Sequence, residues 1–211
     1  MELKEAIRKR RSIRLFDKTK KVTDAQLREL FELTSLSPSA YNLQPWKFIV
    51  VRDEKRKGVL RACGNNQAQV EDASAVIIVL AKLNPSEDVD EIISDRDKKG
   101  YFPSSEIKQN YIKIMKEIDT NEEIKAWAIK NAYLASATLM LAATDMGLAT
   151  CPIEGFNPDC VIKNFRIPSN YFPTLLITLG YQLPDAKIPE RLARKTFEKT
   201  VDFEQFRKKQ A

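Results

Sequence analysis

The chain has 211 residues, of which 43% are hydrophobic, so it can bury one substantial core, and we predict a single domain spanning residues 1–211. It contains no histidine, which excludes the Ser/His/Asp triad, the His–Cys pair and nearly all zinc or non-haem iron centres, and we therefore predict no metal site. Neither GxGxxG nor GxxxxGK occurs, which argues against a Rossmann or P-loop nucleotide site. The net charge of +6 favours an anionic partner, either nucleic acid or a phosphate-bearing cofactor.

The cysteines and the apolar segments indicate the cellular setting. Cys63, Cys151 and Cys160 form no CxxC pair, which argues against a metal ribbon or a disulfide framework, and we interpret them as small buried or incidental residues. The N-terminus begins with a charged helical pattern, and no apolar run is long enough to cross a bilayer. We therefore expect a soluble protein of the reducing cytoplasm.

Near the N-terminus, a short predicted helix from Glu2 to Arg10 runs into Arg-Arg-Ser-Ile-Arg. If the chain is extended there, Arg10, Ser12 and Arg14 share one side while Ile13 points inward. Two guanidinium groups and a hydroxyl suit a phosphate and the polar edge of a heterocycle. The alternative, which spacing alone favours, is a solvated face whose cations complement the C-terminus of the helix.

A polar loop flanked by two prolines is the most distinctive stretch of the chain. The helix before it begins at a predicted capping box, with Thr23 as N-cap and Gln26 three residues later. The loop, Ser37 to Pro45, has the sequence Ser-Pro-Ser-Ala-Tyr-Asn-Leu-Gln-Pro, and its prolines predict an extended backbone. It leads into a predicted strand from Trp46 to Arg52. A loop held this firmly suits a small planar ligand.

The middle of the chain supplies an amide-rich segment and a central strand. Asn65 to Gln69 offers side-chain amides that could recognise the edge of a ring, although the residues alone favour a simple turn. Ala75 to Ala81 is continuously apolar and predicts a strand buried on both faces, at the centre of the sheet. Pro85 to Tyr101 is charged and poorly periodic, and a predicted helix from Ser105 to Ile118 follows it, so Pro85 to Ile118 is a candidate lid over a site.

The longest predicted helix, Asn121 to Met146, is capped by Thr120 and closed by Gly147. From Ala132 to Ala143 it is apolar on nearly every face and must be enclosed, either by a second subunit or inside the monomer. Two further strands are predicted, at Leu148 to Ile153 and at Pro173 to Tyr181. The last residues, Asp202 to Ala211, are predicted to form a polar end. Together these elements predict an α+β fold, with a central mixed β-sheet enclosed by helices and completed by a partner subunit.

Four motifs occur in order along the chain. They are Arg-Arg-Ser-Ile-Arg-x-Phe from Arg10, Ser-Pro-Ser-Ala-Tyr-Asn-Leu-Gln-Pro-Trp from Ser37, Gly-Leu-Ala-Thr-Cys-Pro-Ile-Glu-Gly-Phe from Gly147, and a basic C-terminal tail. Together they resemble the nitroreductase family, over about Leu3 to Val201. The resemblance implies an intertwined homodimer with FMN at the subunit interface, reduced by NAD(P)H and reoxidised by nitroaromatics, quinones or related small acceptors.

The resemblance also assigns roles to residues. The N-terminal motif and the tail would grip the phosphate, ribityl chain and pyrimidine edge of FMN, the loop from Ser39 would come from the partner subunit, and the turn from Ile153 would pass the flavin ring. The implied FMN contacts are Arg10, Arg11, Ser12, Arg14, Ser39, Ala40, Asn42, Asn66, Gln69, Ile153, Glu154, Gly155, Arg194 and Lys195. No side chain is catalytic, because hydride passes through flavin N5 with ping-pong kinetics.

Some positions depart from the family pattern. Gln69 stands where many relatives carry lysine, and the bulky Tyr41 is a possible substrate contact that narrows the acceptor slot. In the tail, Arg191 could replace Lys195 in the phosphate clamp. The acceptor stays open, because a dihydropteridine, free flavin, enone or halogenated aromatic would suit the same fold. The alternative from another class, a basic nucleic-acid-binding module, predicts steeply salt-dependent affinity but shows no recognised motif or stacking platform.

Overall fold

The structure, a computed structural model, describes residues 1–206. It is an α+β fold in which a four-stranded sheet is enclosed by helices, as the sequence predicts. The helices are α1 (Leu3–Lys9), α2 (Asp24–Ser35), α3 (Glu54–Cys63), α4 (Ala68–Asp72), α5 (Val89–Lys98), α6 (Ser105–Lys116), α7 (Ile124–Asp145) and α8 (Pro158–Phe165). The strands are β1 (Trp46–Val51), β2 (Ala75–Lys82), β3 (Ala149–Ile153) and β4 (Tyr171–Gly180). The last part of the predicted polar end, residues 207–211, lies outside the described residues.

The sheet has the strand order β1–β2–β4–β3, and each neighbouring pair is antiparallel. Within residues 1–206, the mixed character that we predicted is confined to one parallel bridge, between Ser12 and Thr150. All eight residues of β2 are buried, which confirms the prediction of a central strand. Because β3 is an edge strand, its outer side is free to pair with the segment that follows α1.

Two layers of helices cover the two faces of the sheet. Successive side chains of a strand point to opposite faces, so Ile77 and Val79 pack with α2 and α7, whereas Val76 and Ile78 pack with α3 and α8. Burying side chains of this size stabilises the fold by roughly 1.5–3 kcal/mol each. The sheet is therefore a firm base for the loops that leave its ends. No helix within the described part of the chain is long and apolar enough to cross a membrane.

The two predicted helix caps have different outcomes. At the start of α2, Gln26 N donates to Thr23 Oγ1 at 3.2 Å and Thr23 N donates to Gln26 Oε1 at 3.1 Å, so the capping box is confirmed. Thr120 does not cap α7, contrary to the prediction. It lies in a 3₁₀ turn, where its hydroxyl donates to Glu117 O at 2.6 Å, and α7 begins further along the chain. Gly147 follows α7 with a φ of 74°, as expected for a closing glycine.

The loop between Pro38 and Pro45 is not extended, and this prediction is wrong. Ala40–Asn42 forms a 3₁₀ turn, in which Asn42 N donates to Ser39 O at 3.0 Å. The two residues after Ala40 have φ values of 57° and 60°. A proline restricts only itself and the residue before it, so the residues between the two prolines are free to turn.

The interpretation of the cysteines as incidental is wrong for two of them. Cys63, the last residue of α3, and Cys160, in the first turn of α8, form a disulfide with their Cα atoms 5.5 Å apart. They are separated by 97 residues, so no short motif reveals the pairing, and only the packing of α3 against α8 brings them together. Cys151 is free and buried, and burial raises the pKa of its thiol.

Candidate active site

A cavity of about 670 Å³ lies between the segment after α1, helix α7 and the C-terminal tail. Its polar lining is basic and consists of Arg8, Arg10, Ser12, Arg191 and Arg194. Its apolar lining consists of Ile7, Ala137, Met140, Leu141 and Pro152. A basic side facing an apolar side suits a ligand that carries an anionic group on an apolar body.

The segment after α1 is held extended by β3. Ser12 pairs with Thr150, and Ile13 N donates to Thr150 O at 2.9 Å. Ile13 is buried, as predicted, so its neighbours on either side face away from the core. Arg10 and Ser12 line the 670 Å³ cavity together, and Ser12 also lines an adjacent cavity of about 280 Å³ with Arg14. The structure thus brings the predicted trio together around Ser12.

The C-terminal tail reaches the cavity through Arg191 and Arg194, and Lys195 is not part of its lining. Arg191 donates to the carbonyl oxygens of Arg8 and Arg10, each at 2.7 Å, and this ties the tail to the end of α1. The geometry therefore favours Arg191 over Lys195 as the second basic residue of the tail.

Three arginines surround the guanidinium of Arg191 and affect its pKa. Its burial and the neighbouring charges of Arg11, Arg194 and Arg10 lower the pKa of Arg191. Arg11 lies on the edge of this group, where it donates to Pro189 O at 2.6 Å, and it does not line the cavity. A bound anion would relieve the repulsion among these guanidinium groups.

These groups fit the phosphate of a cofactor such as FMN. The guanidinium groups of Arg10 and Arg194 and the hydroxyl of Ser12 are donors of the kind that phosphate oxygens accept. The donor set is therefore basic and convergent.

The turn after β3 begins next to the cavity, because the β3 residue before it lines the cavity. Pro152 is part of the lining, Ile153 is buried, and Glu154 and Gly155 are exposed. The three residues predicted to pass the flavin ring therefore follow directly, along the chain, on a residue that lines the predicted phosphate site.

Side chains from two other elements hold this turn. Asn65 Nδ2 and Gln67 Nε2 donate to Gly155 O at 3.0 and 3.1 Å. The hydroxyl of Tyr133, on α7, donates to Glu154 Oε1 at 2.5 Å. Burial and the carboxylate of Glu154 raise the pKa of Tyr133, so the phenol remains a donor.

Asn66 and Gln69, which we predicted to meet the pyrimidine edge or ribityl chain, lie beside the same turn. Asn66 is exposed and has a φ of 57°. Gln69 is buried, and its Nε2 donates to Gln67 Oε1 at 2.8 Å. In this chain Gln69 therefore orients Gln67, which in turn holds Gly155.

The loop containing Ser39, Ala40 and Asn42 lies elsewhere on the chain. Ala40 N donates at 2.9 Å to Oδ1 of Asn131, a buried residue of α7. Asn131 precedes Ala137, the nearest cavity residue of α7, by six residues, about 9 Å along the axis. None of the three predicted loop residues lines the arginine cavity of its own chain.

Tyr41 packs against the segment that we predicted as a lid. Its ring meets that of Tyr111, on α6, edge to face with centroids 5.6 Å apart. Arg96, on α5, donates to Tyr41 O at 3.4 Å, and its guanidinium lies 5.1 Å from the centre of the Tyr111 ring. Tyr41 is thus the contact between its loop and helices α5 and α6, and whether these helices move stays a prediction.

Two side chains that support the site, Asn131 and Tyr133, escaped the sequence analysis, and a third, Gln67, entered it only as one amide of the segment from Asn65 to Gln69. Asn131 could have been found, because it is the only amide in the apolar α7 and a buried amide is normally hydrogen-bonded. No local sequence pattern indicates the contacts that Gln67 and Tyr133 make, since their partners lie 88 and 21 residues away in the sequence.

The fold and the cavity define an α+β protein with a basic cavity, between its sheet edge and α7, that suits a phosphorylated ligand. The chain belongs to the nitroreductase family, because the sequence profile described as "Nitroreductase family" matches residues 7–181. This confirms the family that the four sequence motifs indicated.

Individual relatives and solved structures agree with this family. The chain is 33% identical over 189 residues to "Putative NAD(P)H nitroreductase YodC" of Bacillus subtilis, covering 89% of this chain and 93% of that protein. It is 34% identical over 195 residues to "NADH dehydrogenase" of Thermus thermophilus, covering 91% and 92%. A solved Exiguobacterium sibiricum protein, described as a putative nitroreductase in complex with FMN, superposes with a TM-score of 0.84 at 28% identity over 96% of this chain and 97% of that chain. The chain is therefore an FMN-dependent oxidoreductase with NAD(P)H as its electron donor.

Proposed function

We propose that the protein is a homodimeric nitroreductase-type enzyme that reduces nitroaromatics, quinones or similar small acceptors with ping-pong kinetics. The observation that carries this proposal is the cavity where Arg10, Ser12 and Arg194 converge beside the turn at Glu154 and Gly155. One end of that site suits a phosphate, and the other end is a backbone turn held in place from two sides. Cytoplasmic localisation stays a prediction.

At the basic end, Arg10 and Arg194 would hold the phosphate of FMN, with Ser12 donating its hydroxyl. Arg191 would contribute mainly by holding the tail against the end of α1, because its guanidinium already donates to the carbonyl oxygens of Arg8 and Arg10. Arg14, in the adjacent cavity, would face the pyrimidine edge, where its positive charge stabilises negative charge that develops on reduction. Arg10, Ser12 and Arg194 line the first cavity and Arg14 the second, so each role uses a side chain that borders one of them.

At the other end, the turn at Glu154 and Gly155 would orient the flavin ring. The donors from Asn65 and Gln67, and the Tyr133 hydroxyl, keep this turn from shifting. Bound FMN supplies the hydride chemistry between the nicotinamide and the acceptor, while the chain supplies position and electrostatics. Because donor and acceptor would use one site in turn, ping-pong kinetics follow.

A second copy of the chain would complete the site. Helices α1 and α7 expose Leu3, Ile7 and Leu134 to 65%, 52% and 48%, so α7 is not enclosed by its own chain. The tail likewise exposes Leu192 to 82% and Phe206 to 86%. Covering such a surface with a symmetric partner is the usual solution for a soluble chain. The loop at Ser39, Ala40 and Asn42, which does not reach its own cavity, would then contribute to the FMN site of the partner.

The test is a series of anaerobic and steady-state measurements on purified protein reconstituted with FMN. NADH or NADPH should bleach the visible flavin spectrum, and a nitroaromatic or a quinone should restore it. Double-reciprocal plots at several fixed acceptor concentrations should be parallel, as ping-pong kinetics require. Intersecting lines would refute the single shared site, and reoxidation by neither acceptor class would refute the proposed substrates. Sedimentation should give a dimer mass, and a monomer that retains FMN would refute the shared interface.

A further inference from the structure

The disulfide between Cys63 and Cys160 joins two segments, the loop after α3 and the turn between β3 and α8. These two loops form the end of the site that would contact the flavin ring. Cys63 ends α3 and is followed within a few residues by Asn65 and Gln67. Cys160 lies in the first turn of α8, directly after the turn that contains Gly155. The disulfide therefore lies at the base of both loops.

Hydrogen bonds connect the same two segments above the disulfide. Asn157 N donates to Cys63 O at 2.8 Å, and Asn65 and Gln67 donate to Gly155 O. These bonds form only while the two loops keep their relative position. Within residues 1–206, the disulfide is the only covalent cross-link that fixes the relative position of the two loops. If it were broken, only the hydrogen bonds and packing contacts would hold them together.

We propose that Cys63 and Cys160 are a redox-modified site, in which the disulfide holds the two loops in the form that binds the flavin ring and the dithiol loosens them. The effect on FMN rests on the proposed function, whereas the existence of a reversible disulfide does not. The partner in the reaction is a small disulfide or thiol, such as the two forms of glutathione.

The exchange is balanced and has a defined entry point. Cys63 is 2% exposed, whereas Cys160 is partly exposed, so an incoming thiolate attacks the sulfur of Cys160. That attack forms a mixed disulfide on Cys160 and releases the thiolate of Cys63, which takes up a proton. A second small thiol then attacks the mixed disulfide, leaving Cys160 as a thiol and one oxidised small disulfide. Formation is the reverse, with two protein thiols oxidised and one small disulfide reduced to two thiols.

The surroundings favour sulfur leaving as a thiolate. The side-chain amide of Asn164 donates to the sulfurs of Cys160 and Cys63, at 3.7 and 4.0 Å. A hydrogen bond to sulfur stabilises the thiolate more than the thiol and so makes it a better leaving group. Cys151 is free and buried and has no part in this disulfide.

The first experiment counts thiols. Native protein is equilibrated with oxidised glutathione or with dithiothreitol, then denatured and alkylated, and labels are counted by mass spectrometry. We expect one label, on Cys151, after oxidation and three after reduction, with full return on cycling. Three labels under both conditions would overturn the proposed site. Cys151→Ser is the matched control and should carry no label after oxidation and two labels after reduction.

The second experiment measures FMN binding by quenching of flavin fluorescence, with reductant removed anaerobically before titration. The oxidised protein should bind FMN about tenfold more tightly than the reduced protein, a common size for such coupling. Cys63→Ala/Cys160→Ala should match the reduced form and ignore glutathione, whereas Cys151→Ser should respond like the native chain. Equal affinities within about twofold would overturn the control of the flavin site.

Two further outcomes separate this inference from the proposed function. A chain that binds no FMN in either state would overturn the proposed function and the flavin part of this inference, while the thiol count still decides the redox site. If the double variant does not fold, the native chain itself is compared in its two redox states. Because the bond closes a loop of 97 residues, the oxidised form should melt at a temperature roughly 5 °C or more higher. Equal melting temperatures would show that the bond does not constrain the chain.

Discussion

Replacing Arg10 and Arg194 together by alanine should weaken FMN binding by about a hundredfold. Charge-assisted hydrogen bonds to a ligand contribute about 1.5 kcal/mol each at a partly solvated site, so losing two corresponds to about 3 kcal/mol. Among the described residues, 1–206, the Arg194 side chain donates only to Leu192 O, two residues away in the same tail, so little internal structure should be lost. The affinity should therefore fall without a comparable loss of stability, because the loss is in contacts to the ligand.

Riboflavin, which lacks the phosphate, separates the phosphate contacts from the rest of the site. The native chain should prefer FMN over riboflavin, and Arg10→Ala/Arg194→Ala should remove most of that preference while leaving riboflavin affinity nearly unchanged. Fluorescence quenching titrations at two salt concentrations measure both ligands. Lys195→Ala/Lys199→Ala is the matched control, since it removes the same charge from residues that do not line the cavity. An unchanged ratio of FMN to riboflavin affinity in the arginine variant would refute the phosphate site.

Three further substitutions test the residues that support the site. Asn131→Leu should lower the free energy of unfolding by about 1–3 kcal/mol in urea titrations, because Ala40 N loses its buried acceptor, and no change would show that the loop does not depend on this bond. Tyr133→Phe should lose stability less steeply than the native chain above pH 10, because the raised pKa keeps the folded phenol neutral while the unfolded one ionises; parallel pH profiles would contradict the shift. Tyr41→Ser should change the ratio of kcat/KM for bulky and small acceptors more than FMN affinity, whereas the exposed control Tyr101→Ser should not, and an equal response of both acceptor sizes would refute the slot.

Local sequence patterns predicted most of the elements correctly. The capping box at Thr23 and Gln26 and the apolar run of β2 depend on residues within one turn or one strand, so they are visible without tertiary structure. The helix α5 was missed because its charged sequence has weak periodicity, and only its packing beside Leu43 and Met115 explains it. The cap at Thr120 failed for a related reason, since its hydroxyl is used by the preceding turn.

The candidate site was predicted in its parts and not in its connections. The N-terminal motif and the turn at Glu154 were recognisable because each is a short contiguous pattern, and the structure places Arg10 and Ser12 at the cavity and Glu154 beside it. The choice of Arg191 over Lys195 in the tail depended on the path of an irregular segment, for which spacing along the sequence has no predictive value.

By itself the sequence determined the family, the fold class and a chemistry that does not depend on histidine, because these follow from composition and from ordered short motifs. Only the tertiary structure decided that Cys63 pairs with Cys160, that Tyr133 holds Glu154, and that the loop at Ala40 rests on Asn131, outside the lining of its own cavity. The physical reason is that a motif records interactions between neighbours in the chain. These contacts join residues 21 to 97 positions apart, and they arise only when the helices pack on the sheet.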